Sequence, residues 1–146
     1  MTTHTDLFLE FVDHLADALD EDPSGRLPGE LSGEQVAARF HFSRFHFDRV
    51  IRSVAGESPQ AFRRRILLER AAYRMVTTKA PLIDIAVEAG YGSHEAFTRA
   101  FGRAYGVPPA AWRKAPGRIR IAAPSDVHFH PPGSLQIGRA SCRERV

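Results

Sequence analysis

At 146 residues and 16.3 kDa, the chain has room for one domain or two very small ones, enough for a modest helical core and too little for an enzyme with a large cleft. Its one cysteine, Cys142, excludes an internal disulfide or a cysteine-built zinc site; no apolar run approaches the roughly 18 residues of a membrane span, and the N-terminus lacks the basic-then-apolar order of a signal peptide, so a cytoplasmic protein is expected. The net charge of +3 hides an asymmetry, because nine acids and a single base, Arg26, precede Val36, whereas from Arg39 to Lys114 twelve arginines outnumber the acids and make a segment suited to a polyanion.

Residues 6–19 carry apolar side chains at Phe8, Phe11, Val12, Leu15 and Leu19 with Asp and Glu between them, the pattern of an amphipathic helix with an acidic outer face that lies against a core. A loop follows through Asp22, Pro23, Ser24, Gly25, Pro28 and Gly29. Ser32 and Gln35 have capping-box spacing at the start of the next helix, where Val36 and Ala37 face inward and small Ala38 permits close helix approach. Ser43 caps a further helix to about Val54, with Phe47, Val50, Ile51 and Val54 inward and Gly56 just past its end. Ser58 and Pro59 open a long helix over about 59–78 that is apolar around much of its circumference, as expected of a strut with neighbours on several sides. At about 1.5 Å per residue it spans roughly 30 Å, close to the roughly 34 Å of one DNA turn.

Residues 82–89 form a short apolar helix that stops at Gly90, and Ser93 opens another after a brief turn, the helix-turn-helix arrangement that sets a second helix in a DNA major groove. A constant offset of fifty then matches Ser43 with Ser93, Phe47 with Phe97, Arg49 with Arg99, Gly56 with Gly106, Pro59 with Pro109, Phe62 with Trp112 and Arg63 with Arg113. Such matches without a gap indicate a duplicated unit. In both copies a serine caps the reading helix and an arginine lies six residues later.

The patterns SRFHFDRVIRSVAGESPQAFRRRILLERA and IDIAVEAGYGSHEAFTRAFGRAYGVPPAAWR, in this order and spacing, resemble the DNA-binding module of the AraC/XylS family of bacterial transcription regulators, over about residues 31–113. The resemblance implies an all-α, seven-helix bipartite bundle, the helix from Asp6 being the first, within a DNA-binding domain of residues 5–115. Its helix-turn-helix units, at about 31–56 and 81–106, would be joined by the helix at 59–78 and would present their reading helices to successive major grooves of double-stranded DNA. Carried over by position, the base contacts fall on Arg44, Phe45, Asp48 and Arg49 in the first unit and His94, Glu95, Ala96 and Arg99 in the second. Arginine suits guanine, a carboxylate accepts from the cytosine amino group, and Phe or Ala meets a thymine methyl. Phe45 faces outward whether or not it touches a base. Phosphate contacts are expected from Ser43, Ser93 and Arg52, and from Arg63, Arg64 and Arg113 near helix N-termini.

Phe47, Phe97, Phe101 and Trp112 read as core, and His41 and His46 as turn or surface residues. Beyond Lys114 prolines and glycines break any long helix, leaving residues 116–146 as a linker or irregular tail in which RIRIA and VHFHP either form a strand or stay irregular. His128 and His130 alternate as two ligands on one strand would, with no third nearby, so neither metal nor cofactor is expected. The composition shift over residues 137–146 reads as non-native sequence, and the tail as the start of a linker to a sensor domain. The function expected is a sequence-specific regulator, with no catalytic residues, binding DNA as a monomer in the bacterial nucleoid. Two alternatives stay open: a module that contacts RNA polymerase and binds DNA weakly, motivated by the acids at Asp13 and Asp17, and a fragment of a DNA-repair methyl-transfer regulator, for which Cys142 is the one available thiol.

Overall fold

The computed structural model describes residues 8, 9, 11–13, 15, 38, 42–130 and 134–137. Five helices are described in full: α1 (Arg44–Ala55), α2 (Pro59–Thr77), α3 (Leu82–Glu88), α4 (His94–Tyr105) and α5 (Pro109–Lys114). Helical residues at Phe8, Leu9, 11–13 and Leu15, and at Ala38, fall where the first two of the seven expected helices lie. Ala38 is exposed. The capping residues Ser32 and Gln35 lie outside the described residues, as do Leu19 and His41.

Local chemistry sets the helix ends. Ser43 accepts from the amide of His46 at 3.1 Å, Ser58 from that of Ala61 at 3.1 Å and Ser93 from that of Ala96 at 3.1 Å, each satisfying an amide that the first helical turn leaves unpaired. Helices α1 and α4 both stop on a glycine in the left-handed region, Gly56 at φ 77° and Gly106 at φ 82°, where a side chain would be strained. Thr78 closes α2 by donating its hydroxyl to the Arg74 carbonyl at 2.7 Å.

Two hydrophobic cores lie along α2. The first gathers Phe8, Phe11, Val12 and Leu15 with Phe47, Val50 and Ile51 of α1 and Phe62, Ile66 and Leu67 of α2. The second gathers Leu68, Ala71, Ala72 and Met75 of α2 with Ile85 and Ala86 of α3, Phe97 and Phe101 of α4 and Trp112 of α5. The strut is therefore apolar on several sides because successive turns serve different cores. Arg74 also joins α2 to α3 through a paired contact with Glu88, at 2.8 Å from Nε and 2.7 Å from Nη2.

Of the two outcomes left open for the tail, VHFHP takes the strand and RIRIA stays irregular. Strand β1 (Val127–His130) pairs antiparallel with β2 (Ser134–Ile137) in the register Val127↔Ile137 and His130↔Ser134. Val127 and Phe129 are buried in the first core, while Ile119 and Ile121 pack on the second. Alternating apolar residues in the tail thus cover surface that α2 leaves open. Residues 138–146, most of the stretch read as non-native, lie outside the described residues, and so does Cys142, on which the alkyl-transfer alternative turns.

Candidate nucleic-acid interface

The faces of α1 and α4 turned away from the cores carry most of the residues singled out for DNA. On α1, Phe45 is 72% exposed, an unusual position for a phenyl ring on a helix whose other aromatic, Phe47, is fully buried. The Arg49 guanidinium carbon sits 5.6 Å from the Phe45 ring centroid, a cation–π arrangement that holds the arginine over the outward ring. Arg49 and Arg52 are exposed and Asp48 is half-buried; Arg44 opens the helix, its side chain outside what the structure describes. His46 is exposed and lies edge-on to Phe42, with ring centroids 4.7 Å apart.

On α4, His94, Glu95 and Arg99 are exposed and Ala96 is half-buried, on the side opposite Phe97 and Phe101. Glu95 lies in the first turn, where the helix dipole favours its charge. Ser43 and Ser93 are both exposed. Each uses its oxygen to accept the capping amide, which leaves the hydroxyl proton available for a phosphate oxygen.

The three arginines expected at phosphates near helix N-termini separate in the structure. Arg64, in the first turns of α2, is exposed. Arg113 is committed to the scaffold: its Nε donates to the Met75 carbonyl at 3.1 Å, Nη1 to that of Ala80 at 2.7 Å and Nη2 to that of Thr78 at 2.8 Å. Carbonyls at a helix C-terminus lack helical partners, and a guanidinium fork satisfies several at once. In the structure the Arg113 side chain thus closes the end of α2 rather than standing free for a phosphate. Arg63, its counterpart fifty residues earlier, is also drawn inward: its Nε is buried with no hydrogen-bond partner among the described residues, and burial lowers its pKa from the usual arginine value.

Sequence reasoning missed a buried polar cluster on α2. Glu69 is fully buried; its Oε1 accepts from the Phe129 amide at 2.9 Å, and its Oε2 accepts from the Ile121 amide at 3.0 Å and from Arg65 Nη1 at 3.3 Å. His128 Nδ1 lies 2.9 Å from the same Oε2, and its Nε2 lies 3.3 Å from Asp126 Oδ1. Arg65 continues the cluster, donating from Nη1 to the Val127 carbonyl at 2.8 Å and from Nη2 to Glu57 at 2.8 Å. A buried carboxylate is tolerable only when paired and hydrogen-bonded in this way. His128, weighed as half of a metal pair, is instead a member of this cluster. The one local signal was Arg65 and Glu69, four residues apart, within an otherwise apolar stretch of helix.

A family model described as a helix-turn-helix domain matches residues 36–115. The chain is 34% identical to the right origin-binding protein of Escherichia coli K12 over 92 residues, which cover 63% of this chain and 32% of that protein. It is likewise 34% identical to the RCS-specific HTH-type transcriptional activator RclR of the same organism, over 67% of this chain and 34% of that one. The chain thus spans about a third of the length of these curated relatives. Among solved structures, the C-terminal domain of AraT, a response regulator from Geobacillus stearothermophilus, superposes with a TM-score of 0.65 at 25% identity, covering 80% of this chain and 88% of that one. The DNA-binding domain of the global transcriptional factor AdpA, solved in complex with a target DNA, superposes with a TM-score of 0.60 at 25% identity, covering 79% of this chain and 93% of that one.

Proposed function

The chain belongs to the AraC-type helix-turn-helix family, and from that membership we propose that it is the DNA-reading module of a bacterial transcription regulator, setting α1 and α4 into successive major grooves of one duplex. The observation that carries this reading is the pair of like-built helices at the two ends of α2, each serine-capped, glycine-stopped and basic on its outer face. At about 1.5 Å per residue the nineteen residues of α2 extend about 28 Å, and with the bulk of the flanking units this matches a groove repeat of roughly 34 Å. One chain supplies both reading helices, so binding is monomeric and the site is an asymmetric one of about two helical turns. The target DNA bound by the AdpA domain and the activator role named for RclR support the same reading.

Base edges are met by Arg49, Arg44, Phe45 and Asp48 from α1 and by His94, Glu95, Ala96 and Arg99 from α4. Arg49, held over Phe45, presents a fork to guanine while the ring lies against a neighbouring thymine methyl. Ser43, Ser93, Arg52 and Arg64 position the duplex through phosphates. The site of action is the nucleoid, and among the described residues no helix is long and apolar enough to cross a membrane.

Selection of bound fragments from genomic DNA with the full chain, at stated salt, tests the proposal; failure to enrich any sequence overturns it. On the enriched site, Arg49→Ala and Arg99→Ala each cost about 1–3 kcal/mol if they read bases. Equal losses on the enriched site and on random DNA would reassign that arginine to phosphate.

A further inference from the structure

Among the described residues, only two segments contribute to both hydrophobic cores: α2 and the stretch of tail at 119–129. α2 alone would be a weak ruler. Helices curve with radii of about 60–100 Å, so one about 28 Å long bends by about 20°. A change of that order, acting over roughly half the helix length, shifts one unit by about 5 Å relative to the other. One base-pair step is only about 3.4 Å.

The tail closes this open geometry, and it does so at the reading helices themselves. Tyr105, the last residue of α4, donates its hydroxyl to the Ile119 carbonyl at 2.6 Å. At the other end, Pro124 sits so close to Gly56, the stop residue of α1, that a Cβ there would fall 2.6 Å from the proline Cβ. Between these contacts Glu69 holds the amides of Ile121 and Phe129 on one carboxylate in the middle of α2. Arg65 takes the carbonyl of Val127 between them.

We propose that residues 119–129 are a brace that fixes the distance and rotation between the two reading helices, with Glu69 as its positioning residue, and that the brace sets how strictly the protein discriminates the spacing of its two DNA half-sites. The spacing role rests on the DNA-reading function proposed above; the brace itself does not.

The experiment therefore has two arms, both on the full chain. In the first, spin labels are placed at Ser53→Cys and Arg103→Cys in a Cys142→Ser background. These sites are exposed and fifty residues apart, on equivalent turns of α1 and α4. Pulsed dipolar spectroscopy should give one narrow distance distribution for the parent and a distribution about 5 Å wider for Glu69→Gln. The amide places a donor against groups that themselves donate. If Glu69→Gln does not melt cooperatively, the paired variant Tyr105→Phe with Pro124→Gly loosens both ends of the brace and leaves the buried cluster intact.

In the second arm, unlabelled parent and variant are titrated against the enriched site with one or two base pairs inserted between its halves. Each insertion weakens the parent about tenfold or more and the variant about threefold or less. Folded variants whose distance distribution matches the parent's overturn the brace. A widened distribution with an unchanged spacing penalty overturns the spacing role. If the variants widen the distribution but the parent enriches no DNA, the brace stands and the DNA-reading function fails.

Discussion

Replacing Arg113 by alanine separates its two readings, phosphate ligand and helix closure. Its guanidinium donates to the carbonyls of Met75, Ala80 and Thr78 at 3.1, 2.7 and 2.8 Å, so the substitution leaves three acceptors at the end of α2 without a protein partner. A hydrogen bond to a charged group contributes about 1.5–3 kcal/mol net. The site is half-buried, so water recovers part of that for each carbonyl, and the three bonds share one side chain. The sum is about 3 kcal/mol. For a chain of this size the corresponding fall in Tm is about 10 °C. Arg113→Lys keeps the charge but cannot fork between carbonyls, and should lose about half as much. Thermal melting by circular dichroism measures both variants, and titration of DNA binding against salt provides the second axis. As a scaffold residue, Arg113 leaves the slope of log K against log salt unchanged. An unaltered Tm in Arg113→Ala, together with a slope reduced by about 0.9, would mean that the side chain leaves its carbonyls for a phosphate and would refute the assignment.

The mirror-image outcome is expected for exposed Arg64: Arg64→Ala reduces the salt slope by about 0.9 and changes stability by no more than about 0.5 kcal/mol, which the same two titrations read. Gly56→Ala and Gly106→Ala both place a side chain at a positive φ, at a cost of about 1–2 kcal/mol each. Only Gly56 also meets Pro124, so its variant should lose about 1 kcal/mol more in chemical denaturation, and equal losses would mean the tail does not press on α1. Burial raises the Tyr105 pKa, with the Glu69 charge adding to the effect and Arg65 opposing it, and burial also raises that of Tyr91. A raised folded-state pKa means that the unfolded chain releases its proton first as pH rises. The stabilisation is thus complete below the ordinary tyrosine pKa of about 10 and is lost above it, by at most about 1.4 kcal/mol per pH unit for each group. Tyr105→Phe should flatten the alkaline limb of a stability profile, and an unchanged limb would show that the phenol at Ile119 does not titrate with unfolding.

Much of the candidate interface is legible in the amino-acid sequence because its signals are local. A serine at the cap position, an apolar residue four places on and a glycine at the stop describe α1 and α4 completely, and their recurrence at a constant offset marks the duplication. The outward faces then follow from the inward ones, which is why Phe45 and Phe47 can be told apart only two residues from each other. The arginines are harder. Arg64 and Arg113 look alike in sequence, both near a helix N-terminus and both basic, yet one is exposed and the other is spent on carbonyls more than thirty residues away. Electrostatic reasoning from position cannot see that α2 ends beside α5.

The repeat, the helix boundaries and the division of α1 and α4 into a packed and an outward face follow from sequence alone, since caps, stops and helical periodicity all act within a few residues. Which cations remain exposed, and what the tail does, depend instead on contacts between distant segments. Glu69 meets Ile121, His128 and Phe129 across 52, 59 and 60 residues, and no local pattern carries that information. A carboxylate buried on α2 acquires its meaning from the backbone amides brought to it. Those amides come from a segment whose short alternation is compatible with a strand or with an irregular run until the uncovered side of α2 gives it a surface to pack on.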